Sequence, residues 1–119
     1  MIKHQHIRHR LTQSRMELLA MRWSTLRMLS GMLEGQLIPE AYTLKLYWAS
    51  WHRRLGELAM DVLGREGNTV GDDYDLNALQ RLFLFSRADT IYAGSNQIQR
   101  SLIAERALGL PKDPWRDRS

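Results

Sequence analysis

The residues best suited to chemistry lie between Ile91 and Pro111, in the stretch IYAGSNQIQRSLIAERALGLP. A tyrosine, a small residue, a glycine and a serine, Tyr92 to Ser95, stand just before a run with helical spacing. Glycine permits close backbone approach, and a helix N-terminus presents unsatisfied N–H groups that favour anions. The pattern therefore suggests a ligand at the start of a helix. Asn96, Gln97, Gln99 and Arg100 are residue types that read base edges from a recognition helix. They equally suit a helix start that holds phosphate or adenine polar groups, and the residues alone leave the two readings open.

Other constellations carry less. His4, His6 and His9 form a histidine cluster in sequence, but residues on a helix are about 100° apart, so His4 and His6 point in different directions. No carboxylate stands at a useful spacing, and no metal is expected there. Asp72, Asp73 and Asp75 resemble a calcium loop only superficially, since its glycine and terminal glutamate are missing. Cysteine is absent and there is no G-x-S-x-G, so no nucleophilic triad can be built.

The elements that must position the Tyr92–Ser95 loop read as four helices. Ile7, Leu11, Ser14, Leu18, Met21, Thr25, Met28 and Met32 recur at steps of four and three, predicting a long first helix to about Leu33 with Gly31 and Gly35 as its stop. The methionines on that stripe read as core gap-fillers. Pro39 and Glu40 suit the first turn of a second helix, carrying Leu44, Trp48, Trp51, Leu55, Leu58 and Val62 and ending at Gly64. Residues 64–75 are a loop, and Asp75 is the expected N-cap of a third helix with Leu76, Leu79, Leu82 and Phe83 apolar. Phe85 and Ile91 are expected to extend the buried surface, and the helix to fray near Ala88. Ser95 or Asn96 caps the fourth helix, with Ile98, Leu102, Ile103 and Leu108 apolar and Gly109, Pro111 and Pro114 ending it. The expected fold is all-α, an up-and-down four-helix bundle over residues 1–111, with 112–119 a charged tail. Trp23, Tyr42, Tyr47, Trp48 and Trp51 are many large aromatics for two helices, so some are expected to face another subunit or segment.

Composition bounds the partners. A chain of 119 residues has room for one modest domain, and 44% hydrophobic with 25% charged residues is ordinary for a globular protein. There is no run of about 18 apolar residues, and MIKHQHIRHR lacks the apolar core of a signal peptide, so no membrane partner is expected. Absence of cysteine fits a reducing compartment, and the expected location is cytoplasmic. The net charge of +4 and pI of about 9.9 raise the prospect of an anionic partner. The arginines, however, are spread along the helices and read as solvated faces, so nucleic acid is not the expected partner.

The stretch from Ile91 to Pro111 closely resembles the C-terminal signature of acyl-CoA dehydrogenases: a tyrosine, usually a glutamate, a glycine, a threonine or serine, then a helix with I-Q-R. HQHI, His4 to Ile7, is similar to the H-Q-x-I that opens a long helix of the same domain. LAMDVLGREG, Leu58 to Gly67, stands where the family has Q-I-x-G-G. Order and separations agree across nearly the whole chain.

The resemblance implies an FAD-dependent α,β-desaturation of an acyl-CoA thioester, in which a carboxylate takes the α-proton and a hydride leaves the β-carbon for the flavin. It implies a C-terminal helical bundle without its first part, belonging to a fragment or split subunit that is active only with the missing domains. It also implies a homo-oligomer or pairing with a larger acyl-CoA dehydrogenase subunit, with FAD shared with those parts. By position, Gly94 matches the glycine beside the thioester, and Ser95, Asn96 and Gln97 match residues that contact FAD. Gln5 and Gly64 match further FAD contacts, although Asp61 replaces the glutamine and Arg65 the second glycine of the Q-I-x-G-G segment. Ala93 departs most: it stands where many members keep the catalytic glutamate, and a methyl group accepts no proton. A base displaced to an earlier helix is the first explanation; a non-catalytic interaction or assembly subunit that retains the bundle is the alternative.

Overall fold

A computed structural model describes residues 4–36 and 38–112; Pro114 and most of the charged tail lie outside them. All regular structure among the described residues is helical. The elements are α1 (Gln5–Leu33), α2 (Ala41–Leu63), α3 (Ala78–Ala88) and α4 (Asn96–Leu102), the last running on as a π-helical turn, Ile103–Ala107. This is the all-α, four-helix architecture that the periodicity predicts.

The helix α1 has no side-chain cap, no acid in its first turn and no base in its last, so its own ends stabilise it little. Packing against α2 holds it instead. Arg10 pairs with Asp61 and Glu17 with Arg54, and the Trp51 indole donates to the Ser14 carbonyl and hydroxyl at 3.1 Å each. The two ion pairs run in opposite directions along the two helices, 10 to 61 and 17 to 54, as an antiparallel hairpin requires. Gly31 is not a stop but a buried helical position, where a Cβ would meet Ile38 Cδ1 at 2.1 Å. The turn follows at Gly35, whose φ of +71° would strain a residue with a Cβ.

The centre of the molecule is α2, which carries α1 on one side and α3 and α4 on another. Gly56 is buried where α2 meets α3: a Cβ there would lie 2.3 Å from Ser86 Oγ and 3.1 Å from Phe83 Cα. Arg87 crosses the same seam, donating to the Glu57 carboxylate at 2.9 Å and the Arg53 carbonyl at 2.6 Å. Residues 64–75 are a loop holding two short 3-10 turns, and Gln80 fastens it by donating to the carbonyls of Gly67 and Thr69 at 3.1 and 2.7 Å.

Two expectations about α3 are corrected. Asn77, not Asp75, is the N-cap: its side chain accepts from Leu79 and Gln80 N–H groups, and Gln80 returns a bond to the Asn77 N–H, a full capping box. Asp75 instead pairs with Arg81 at 2.7 Å on the surface. Phe85 and Ile91 do not extend the core; they are 61% and 69% exposed, because their faces of α3 and its following turn point away from α2. Of the stripe on α1, Ile7 and Met21 are buried whereas Leu18 and Met32 are exposed. Trp23 and Tyr47 are exposed, and Tyr42, Trp48 and Trp51 are half-buried.

Candidate functional site

The loop between α3 and α4 is built on two consecutive residues with positive φ, Ala93 at +53° and Gly94 at +93°. Alanine pays roughly 1–2 kcal/mol for that conformation, so neighbouring contacts must hold it. Gln99 supplies one, donating from Nε2 to the Ala93 carbonyl at 3.0 Å. That amide also lies where a side chain at position 94 would go, 2.9 Å from a Cβ built on Gly94. The glycine is therefore needed for backbone conformation and for space.

Ser95 is the N-cap of α4: its hydroxyl accepts from Ile98 N–H at 3.4 Å, and its carbonyl accepts from Gln99 N–H at 2.9 Å. Asn96, the first helical residue, donates to Ser50 Oγ at 3.4 Å, while its Oδ1 is buried without a hydrogen-bond partner. Gln97 is exposed. Gly94, Ser95, Asn96 and Gln97 thus form one contiguous junction, resting on the first half of α2.

Gln5 and Gly64 lie elsewhere. Gln5 opens α1 and Gly64 follows α2, and the Arg10–Asp61 pair brings those two ends together. Gly64 has φ +57° and ψ −126°, positive but outside the left-handed helical well that a simple C-cap would occupy. From Lys45, beneath the α3–α4 loop, to Gly64 is about 28 Å along the helix axis at about 1.5 Å per residue. The carried-over residues therefore occupy two stations at opposite ends of α2.

Three residues at the first station gave no signal in the motif reading. Lys45 donates to the carbonyls of Asp89 and Gly94, and the fully buried Asp89 carboxylate bonds His52 Nδ1. The Tyr92 phenol is raised above its ordinary value, first by desolvation and then by the hydrogen bond and charge of Asp89. A lone lysine in the apolar and aromatic run Leu44–Trp48 is the one hint the sequence offers. His52 and Asp89 are far apart in the chain and meet only on folding.

Residues 1–108 match the C-terminal domain of acyl-CoA dehydrogenases, so the chain belongs to that family. It is 52% identical over 107 residues to acyl-CoA dehydrogenase IpdE1 of Mycobacterium tuberculosis, covering 90% of this chain and 27% of that protein. Acyl-CoA dehydrogenase IpdE1 of Mycolicibacterium smegmatis is likewise 52% identical over 107 residues, with 90% and 26% covered. The chain thus spans about a quarter of the length of these relatives. No solved structure gives a significant match. Among the described residues no helix is long and apolar enough to cross a membrane, and no group of three or more His, Asp or Glu side chains is placed to hold a metal ion.

Proposed function

We propose that this chain contributes the C-terminal part of the site of an FAD-dependent acyl-CoA dehydrogenase, which desaturates an acyl-CoA thioester between its α and β carbons. The observation that carries the reading is the pair of positive-φ residues, Ala93 and Gly94, set before a serine-capped helix in a chain of this family. Gly94 would stand beside the thioester by its match to the family motif, with Gln99 packed where a side chain would otherwise project. The junction also fits a polyhydroxylated cofactor, because the buried Asn96 Oδ1 is an acceptor with no protein donor and Gln97 presents an exposed carboxamide. Ser95, Asn96 and Gln97 would hold FAD at this end, and Gln5 and Gly64 at the other. When bound, FAD supplies the acceptor for the β-hydride.

Two stations at opposite ends of α2 serve one cofactor most simply when they come from different subunits. Ala93 cannot remove the α-proton, so on this reading a carboxylate from the rest of the assembly does so, and the activity needs parts beyond these residues. The proposal includes a cytoplasmic location, a fatty-acid-type thioester and an oligomer or a larger partner subunit. A second reading, a non-catalytic assembly subunit, is favoured by Ala93 alone.

Restoration separates the two. In the reconstituted enzyme, with the other candidate carboxylate removed, Ala93→Glu is expected to return acyl-CoA desaturation. No return of activity would place position 93 away from the α-carbon and favour the assembly reading.

A further inference from the structure

The α3–α4 loop is gripped from beneath by side chains that hold none of the roles given above. Lys45 Nζ, part-buried on α2, lies 2.9 Å from the Asp89 carbonyl and 2.8 Å from the Gly94 carbonyl, so one ammonium ties both ends of the turn. Bonds from a charged donor are roughly twice as strong as neutral ones. The anchor point at Asp89 is itself fixed: its side chain is fully buried and bonded to His52, whose ring stacks on Trp48 and Trp51 at centroid distances of 5.6 and 6.1 Å. Between the two gripped carbonyls lie Ala93 and Gly94, both at positive φ. Strained backbone of this kind persists only where surrounding contacts over-determine it.

The grip also sets direction. In a trans peptide the N–H points opposite to its carbonyl, and no peptide here is cis. Holding the Gly94 carbonyl on Lys45 therefore turns the Ser95 N–H away from α2. Holding the Ala93 carbonyl on Gln99 turns the Gly94 N–H away from that amide.

We propose that Lys45, backed by the His52–Asp89 pair, is a positioning residue that locks the Tyr92–Ser95 loop in the conformation that receives the acyl thioester. The inference rests on the reading that Gly94 faces the thioester, and the test separates the two. Hydrogen exchange is measured on the full chain without ligand for the wild type, Lys45→Met, Lys45→Arg and Asp89→Asn. Lys45→Met is expected to speed exchange in residues 89–98 by about tenfold or more while α1 keeps its protection. Lys45→Arg, which keeps the charge and donors, retains most of the loop's protection, and Asp89→Asn gives an intermediate rise. Wild-type exchange of the loop in Lys45→Met overturns the grip, whatever Gly94 faces. So does a loss of protection spread evenly over α1 and α2. Should Lys45→Met not fold, Asp89→Asn decides by the same criterion. In the reconstituted enzyme at unchanged flavin content, kcat/KM for an acyl-CoA falls about tenfold or more in Lys45→Met and recovers in Lys45→Arg. A loosened loop with unchanged kcat/KM overturns the thioester role and with it the placement of Gly94.

Discussion

Ala93 holds a left-handed conformation without glycine's freedom, and its side chain is exposed, so its constraint is backbone rather than packing. A β-branched residue tolerates that conformation worst. Ala93→Val is expected to lower stability by about 1–2 kcal/mol, whereas Ala93→Glu leaves it within about 0.5 kcal/mol, since glutamate adds no branch at Cβ. Denaturant midpoints of the two variants against wild type check this. Tyr92 adds a pH dependence. Its phenol is raised in the folded state, so the unfolded chain loses that proton first and stability falls as pH rises past the ordinary tyrosine value of about 10. The contribution is fully present below that pH, and Tyr92→Phe should flatten the fall in a pH series of unfolding curves. The Tyr-x-Gly-Ser order made this loop legible in the sequence, as did the departure at Ala93. Lys45, His52 and Asp89 were not legible, because their meaning lies in contacts between α2 and the end of α3 that no local spacing encodes.

Among the elements, the seam between α2 and α3 depends on one missing side chain. Gly56→Ala would gain helix propensity of about 1 kcal/mol, yet its Cβ would meet Ser86 Oγ and the Phe83 backbone. Overpacking against a backbone atom should outweigh that gain, for a net loss of about 1–3 kcal/mol in thermal or denaturant unfolding. The start of α3 gives a sharper contrast. Asn77→Ala removes a capping box and should cost about 1 kcal/mol, whereas Asp75→Ala removes only an exposed pair and should stay within about 0.5 kcal/mol. The four-three rhythm locates α1 and α2, and capping residues with nearby apolar positions locate α3 and α4, since both signals are local. They misplace this cap because Asp75 and Asn77 are both good capping residues, and the choice is made by Gln80, whose amide also ties the preceding loop. Gly31 differs from its expected role for a similar reason: a glycine near a helix end resembles a stop, but here Ile38 packs against it.

At the scale of the molecule, the chain is too open for its size. Its accessible surface is 9336 Å² against about 6,700 Å² for a folded monomer of this mass. Its radius of gyration is 18.3 Å against about 13.5 Å for a compact domain of this length. Much of the exposed surface is apolar and lies on α1, where Met16, Leu19, Trp23, Leu26 and Leu33 follow helical spacing on an uncovered face. The surplus of aromatics in the sequence anticipated that exposure, but which of them would remain uncovered followed only from how α2 shares its faces. The same surplus supports the proposal that the site is completed by further polypeptide. Purified by itself, the chain is expected to carry no stoichiometric flavin. Reconstituted with polypeptide that supplies the rest of an acyl-CoA dehydrogenase, it should bind flavin and desaturate an acyl-CoA. The visible absorbance spectrum of the chain, alone and in that assembly, tests this most directly. A flavin spectrum that appears only in the assembly is the predicted result; a yellow, stoichiometrically loaded chain on its own would contradict it.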